Sequence, residues 1–280
     1  MTARRIAVVG HVEHVTLGRF GGVIESGAVI HMEHARFLAG GGGGIAFAQL
    51  CRSDAEVHFF TAVGSDEAGR AVEARIRAEA GQVHVHAAVR VAEHPRVVVV
   101  VDRDGQRTIF VTREPLHPAA TDPLPWSSLA ECDAAYFTGN DPESLRMARA
   151  ARVLVVTARR NAILEAAAVA PDVIIGSVAD PRENRELASY EPAPRALVLT
   201  DGPRAIRVFR ESGVTLVDAA PGPSRVVGDY GAGDSFAAAL TFFLAHGLSV
   251  EEGCRRAGPY GAAILQGLDP LEVQRRLVGL

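Results

Sequence analysis

The chain has 280 residues, 48% hydrophobic and 22% charged, enough for one large α/β unit or two small ones, and no apolar run approaches the roughly 20 residues that cross a bilayer. A net charge of −4 with dispersed basic residues excludes nucleic acid as the expected main partner, and the absence of a signal-length apolar stretch near the N-terminus makes a cytoplasmic location the expectation. All 29 basic residues are Arg; with no ammonium side chain, a Walker A loop, a Schiff base and pyridoxal chemistry are ruled out, and any phosphate must be held by backbone amides, Arg or a metal.

RIAVVG, Arg5 to Gly10, reads as a buried first strand. Segments between Phe20 and Phe37 favour β structure and are broken by GG and SG turns, which predicts a small sheet or hairpin. Five glycines, Gly40 to Gly44, precede the short helix IAFAQLCR. EVHFFTAVG, Glu56 to Gly64, is the next strand, and Ser65 to Gly81 reads as a helix with a Ser cap, early acids and a terminal Gly. VHVHAAVRV, RVVVVVD and RTIFVT follow as strands, the last two joined by a hairpin through Asp104-Gly105.

From Ala134 strands and helices alternate: AYFTG, DPESLRMARAA, VLVVT, NAILEAAAVA, DVIIG, then a helix expected around Pro181 to Ser189. ALVLTDG, AIRVFR and VTLVDA are three further strands, followed by GDYGAGDSF, a helix from Ala237, and two more helices. This alternation predicts a mostly parallel sheet covered on both faces, an α/β fold in one domain spanning residues 1–280. The β-rich insertions at about 20–37 and 83–113 fall outside the alternation and are expected to form a small sheet acting as a lid. Cys51, Cys132 and Cys254 have no paired spacing, so they are expected to be reduced.

The loop Gly228 to Phe236 carries the most chemistry. Gly231, Ala232 and Gly233 can turn their N–H groups inward because no side chain obstructs them, and Asp234 falls in the first turn of the helix that follows. Helix N-termini attract anions, so the loop can hold a phosphoryl group beside a base for its acceptor hydroxyl. The local pattern alone also fits a Gly-rich turn capped by Asp. Histidine spacing invites a metal reading at His11/His14, His31/His34 and His84/His86, but residues three apart on a strand point to opposite faces. His84 and His86 share a face without an evident acidic or Cys partner, so no dedicated zinc site is expected.

GDYGAGDSFAAAL resembles the C-terminal signature of the ribokinase-like (PfkB) carbohydrate kinases, whose D-T-x-G-A-G-D loop carries the catalytic Asp. GGGGIAFAQL resembles the family's N-terminal Gly-Gly signature, FFTAVGSDEAGR its V-G-x-D-x-x-G turn, and LVLTDGPRAIRV the T-x-G segment beside the nucleotide; the likeness runs from Ile6 to about Leu271. The resemblance implies a Rossmann-like three-layer α/β/α domain with a β lid, and an ATP- and Mg²⁺-dependent transfer of a γ-phosphoryl group to a sugar, nucleoside or related polyol. It makes Asp234 the general base and Gly231, Ala232 and Gly233 the anion hole, with Thr200 and Gly202 along the nucleotide. The family's N-x-x-E motif, which organises Mg²⁺ through water, falls on Ser177 and Asp180. His11, Glu13, Gly41, Gly42, Arg113, Glu114 and Asn140 lie where the family faces its substrate. Lids in such kinases often pair, so a homodimer through the lid is an expectation.

The substrate end departs from the pattern. Members resembling ribokinase carry Lys and Asn where this chain has Gly42 and Ile45, and a sugar-binding Asp falls near Val15. Ribose itself is therefore disfavoured. The Asp expected six places before the base is Gly228, with Asp229 one place later, which leaves monovalent-cation activation without support. A non-catalytic sugar- or nucleotide-binding protein on the same fold is the alternative. A dinucleotide oxidoreductase is excluded, because VVGHVEHV lacks G-x-G-x-x-G.

Overall fold

The computed structural model describes residues 3–279. In chain order the elements are β1 (Arg5–Gly10), β2 (Glu13–Arg19), β3 (Glu33–Gly40), α1 (Gly41–Leu50), β4 (Glu56–Gly64), α2 (Glu67–Arg77), β5 (Gln82–Arg90), β6 (Arg96–Val101) and β7 (Arg107–Val111). The remainder runs β8 (Ala134–Thr138), α3 (Pro142–Ala148), β9 (Leu154–Thr157), α4 (Asn161–Ala167), β10 (Val173–Ser177), β11 (Ala196–Thr200), β12 (Ile206–Arg210), β13 (Gly213–Val217), α5 (Ala232–Ala245), α6 (Val250–Ile264) and α7 (Pro270–Val273).

Nine strands form the large sheet in the order β13-β12-β11-β10-β9-β8-β1-β4-β5, parallel except for the antiparallel edge β12 and β13. Alternation along β1 explains why both faces are covered. Ile6 and Val8 belong to the core that also holds residues of α1, α2, α5 and α6, while Ala7 and Val9 belong to the core that holds residues of α3 and α4. The small sheet, order β3-β2-β6-β7, presents Val15, Leu17, Leu38, Val97 and Val99 to Ile45 and Ala48 of α1. Among the described residues no helix is long and apolar enough to cross a membrane.

Four expectations change. Residues 20–37 contribute only β3 to the small sheet, which draws instead on β2, and the strand at 82–90 is the edge of the large sheet. The glycine run does not precede α1 but forms its first turn. The helix expected at Pro181 to Ser189 is a single turn closed by Glu183 and Asn184 N–H on the Asp180 carbonyl, then a 3₁₀ turn at Leu187–Ser189. The Asp180 side chain also accepts from Arg182 N–H at 2.9 Å, so the turn is closed locally on Asp180. The cap of α2 is Asp66, not Ser65.

That cap explains the spacing in Val63-Gly64-Ser65-Asp66-Glu67-Ala68-Gly69. Asp66 accepts from Gly69 N–H at 3.0 Å and from His94 N–H at 3.1 Å, and Gly64 N–H donates to His94 Nδ1 at 3.1 Å. One carboxylate thus ties α2 to the link between the two sheets. A Cβ at Gly69 would overlap the Gly64 carbonyl oxygen. Gly69→Ala is expected to lower unfolding free energy by about 2 kcal/mol, read by urea denaturation, because that contact is backbone on backbone and cannot yield.

Candidate active site

Strand order reverses at β1, whose neighbours β8 and β4 lead to opposite edges, and the carboxyl ends of β1 and β8 are where open sheets of this kind form their crevice. Two helix N-termini meet there. Gly231 caps α5 with φ +87°, a conformation that favours glycine, and a Cβ on it would lie 2.9 Å from Ile45. Ala232 N–H donates to the Asp229 carbonyl at 3.3 Å, which fixes the turn. As first-turn positions, Gly233 and Asp234 have no intrahelical acceptor for their N–H groups. A Cβ on Gly233 would meet nothing within 4 Å.

From the other side α1 begins at Gly41, with φ +77° and its N–H donating to the Tyr230 hydroxyl at 3.1 Å. Gly42 N–H donates to His11 Nε2 at 3.3 Å. A Cβ on Gly42 would stand 3.1 Å from Asp234 Oδ1 and 3.2 Å from Thr138 Oγ1. The missing side chain therefore lets the α1 backbone approach the carboxylate.

Glu13, at the start of β2, and His11 complete the wall, with 3.9 Å between His11 Nε2 and Glu13 Oε1. Burial, and then the charge of Asp234, raises the Glu13 carboxyl to about 7 against the pull of Arg160. Burial, then Arg160 and Arg159, lowers His11 to about 3, so its imidazole is neutral. His117 lies edge-on to His11, ring centroids 4.9 Å apart, and is pushed to about 2 by burial first and by His11 and Arg160 after it.

Of the residues singled out in the sequence, Asp234, Gly231, Gly41, Gly42, His11 and Glu13 are brought together. Arg113 is not: it follows the exposed β7 and pairs with Glu93. Glu114 is exposed, with its charge acting on Arg160, and Asn140 is exposed with Oδ1 3.5 Å from Arg160 Nη1. Ser177 and Thr200 sit opposite each other at the ends of β10 and β11, where Thr200 Oγ1 donates to the Gly176 carbonyl at 3.3 Å; Gly202 follows in an open turn at φ +57°. Asp180 binds Arg182 through both carboxylate oxygens, at 3.0 and 2.7 Å, which holds it down at about 2.

Sequence reasoning missed Arg159, Arg160 and Glu183. Arg159 Nε donates to the buried Glu183 at 2.6 Å while its Nη1 stands 3.9 Å from Asp234 Oδ1. Asp234 first, and Glu183 after it, hold this guanidinium protonated more firmly than usual, against burial. Arg160 Nε donates to the Thr138 carbonyl at 3.1 Å. The signal was the Arg pair one residue after the strand VLVVT, at the same end of the sheet as His11.

The family described as pfkB family carbohydrate kinase matches residues 3–172 and 182–270. The structure is similar to that of a putative ribokinase from Agrobacterium tumefaciens, with TM-score 0.81 and 18% identity over 98% of this chain and 95% of that one. An Arabidopsis thaliana ribokinase complexed with ribose and ATP gives TM-score 0.77 and 17% identity over 98% and 96%. The adenosine kinase of Sinorhizobium meliloti gives 0.74 and 18% over 96% of both chains. No curated protein matches in sequence.

The raised Glu13 carboxyl has a consequence for stability. Its folded value is about 7 against 4.5 for the free group, so folding takes up a proton between those pH values. The stabilising contribution is complete below 4.5, falls as pH rises through that window and levels off above about 7. Glu13→Gln, which keeps the shape of the protonated form, is expected to remove up to about 3 kcal/mol of that pH-dependent loss relative to wild type, measured by urea unfolding from pH 4 to pH 8.

Proposed function

The chain belongs to the pfkB family of carbohydrate kinases, and from that premise we propose that it transfers the γ-phosphoryl group of ATP to a hydroxyl of a sugar, nucleoside or related polyol. The observation that carries this reading is the position of Asp234, in the first turn of α5 and opposite the side-chain-free backbone of Gly42. An acceptor lying against Glu13, His11 and the Gly41-Gly42 backbone presents a hydroxyl to Asp234. Asp234 takes the proton as the hydroxyl oxygen bonds to the γ-phosphorus. The bond from that phosphorus to the bridging oxygen breaks, and ADP leaves.

The Gly231-Ala232-Gly233 turn and the α5 dipole stabilise the charge on the phosphoryl oxygens, with Gly233 N–H free to donate and Ala232 N–H holding the turn. Arg159 stands beside the base as a fixed positive charge, a role open only to Arg in a chain without Lys. Thr200, Gly202 and Ser177 border the nucleotide. Asp180 offers carboxylate oxygens, the donors Mg²⁺ prefers, and its partner Arg182 is 86% exposed and free to withdraw, so Asp180 fits an outer-shell role through water. When bound, Mg²⁺ neutralises triphosphate charge. The small sheet serves as a lid that excludes water, and two copies pair through it.

ADP release with ATP and Mg²⁺ across sugars, sugar acids and nucleosides tests the reading. Substrate-dependent turnover is expected, with a loss of about 10²-fold or more in Asp234→Asn, the scale of general-base catalysis. Equal background rates for both proteins, with tight binding of a panel member, would replace the kinase by a binding protein on this fold.

A further inference from the structure

A second chemical cluster lies at the other end of the large sheet. The pairing of β4 with β5 sets His58 beside His84 and Phe60 beside His86, with Glu56 one step earlier on the same face. His58 Nε2 is 3.0 Å from Glu56 Oε1, and His84 Nε2 is 3.4 Å from the same oxygen. One ligand atom from each of Glu56, His58 and His84 lies within 4.8 Å of the other two. In a tetrahedral site with bonds of about 2.0–2.1 Å, neighbouring ligand atoms stand about 3.3 Å apart, close to the two shorter separations seen here.

We propose that Glu56, His58 and His84 form a binding site for a zinc-type divalent transition metal, clipping the edge strand β5 to β4. Two imidazoles and one carboxylate are donors for zinc and its neighbours, whereas Mg²⁺ and Ca²⁺ require all-oxygen sets. Two further contacts orient the ligands. His58 Nδ1 lies 3.1 Å from His86 Nε2, the outer hydrogen bond that fixes the ring and leaves Nε2 for the metal. Arg5 holds the other carboxylate oxygen of Glu56 at 3.2 Å, aiming Oε1 at the histidines. Beneath them Phe60 packs on His86, ring centroids 4.7 Å apart, and on Trp126. The outer side is open: His84 is 50% exposed, so a metal enters from solvent and keeps water in its fourth position.

The cluster lies toward the amino ends of β4 and β5, whereas Asp234 stands over the carboxyl ends, so the two sites are separable by experiment. Metal-stripped protein is titrated with Zn²⁺ against a chromophoric chelator, and with Co²⁺ while its visible d–d bands are recorded. One equivalent is expected to bind, with Co²⁺ giving a tetrahedral spectrum and excess Mg²⁺ failing to compete. His84→Ala and Glu56→Gln are each expected to weaken binding at least about tenfold. His31→Ala, which removes a histidine remote from the cluster, should leave it unchanged. Zinc should raise the melting temperature of wild type and not of His84→Ala, while Mg²⁺-dependent turnover is the same in both. Equal affinity in wild type and the two cluster variants, displacement by Mg²⁺, or no binding at millimolar zinc would overturn the site.

Discussion

Two helix N-termini can share one crevice only if the backbone at their closest approach carries no side chain, so that room is left for Asp234 alone. A Cβ on Gly42 would crowd Asp234, one on Gly43 would lie 2.5 Å from the His11 carbonyl oxygen, and one on Gly231 would strike Ile45. Glycine in a helix costs about 1 kcal/mol relative to alanine. The remaining helix offsets that cost, because every residue of α1 is buried and α5 is buried from Ser235 to Ala245. The stack of Phe47 on Phe59, with centroids 4.7 Å apart, anchors α1 to β4 behind the glycine turn. Apolar packing thus fixes where the backbone amides stand, and the amides determine what the crevice attracts.

The charges around the crevice follow from the same geometry. Asp234, Glu13 and Glu183 would repel one another if left to themselves. Arg159 relieves the conflict by hydrogen-bonding Glu183 through Nε while extending Nη1 toward Asp234. A guanidinium can address two carboxylates from one rigid plane, and an ammonium cannot. Among the described residues no guanidinium hydrogen-bonds Glu13, and its carboxyl rises toward neutrality against the weaker pull of Arg160. Of the acids at this crevice, Glu13 is the one that retains its proton further up the pH scale, because burial and the charge of Asp234 act on it together.

The parts of this arrangement that were legible in sequence are those set by local spacing. β1 and the turn leading into α5 follow from apolar runs and glycine placement, and the V-G-x-D-x-x-G spacing fixed the start of α2 to within one residue. What was hidden depends on strand pairing or on irregular turns. The acid joined to Asp234 through Arg159 is Glu183, three residues beyond Asp180, because a turn replaces the expected helix. Residues 82–90 read as a strand but not as an edge of the large sheet, since a strand pattern does not name its partner. His84 and His86 lacked acidic company for the same reason: Glu56 and His58 are distant in sequence and adjacent only across the ladder.

The changed substrate end has a physical logic of its own. Glu13, Val15 and Leu17 share one face of β2, and Val15 and Leu17 are fully buried in the core beneath the small sheet. The position where ribokinase-like members hold a sugar-binding Asp is sealed in apolar packing, where an ionised carboxylate without partners would cost several kcal/mol. Ile45, at the position of the family's Asn, lies in the same apolar core. Under the proposed reading, polar contact with an acceptor falls to the first residue of that face, Glu13, together with His11 and the amides of α1. A carboxyl poised near pH 7 can donate as well as accept, and neutral His11 already accepts from Gly42. Recognition then rests on short, preset donors and acceptors at the crevice wall.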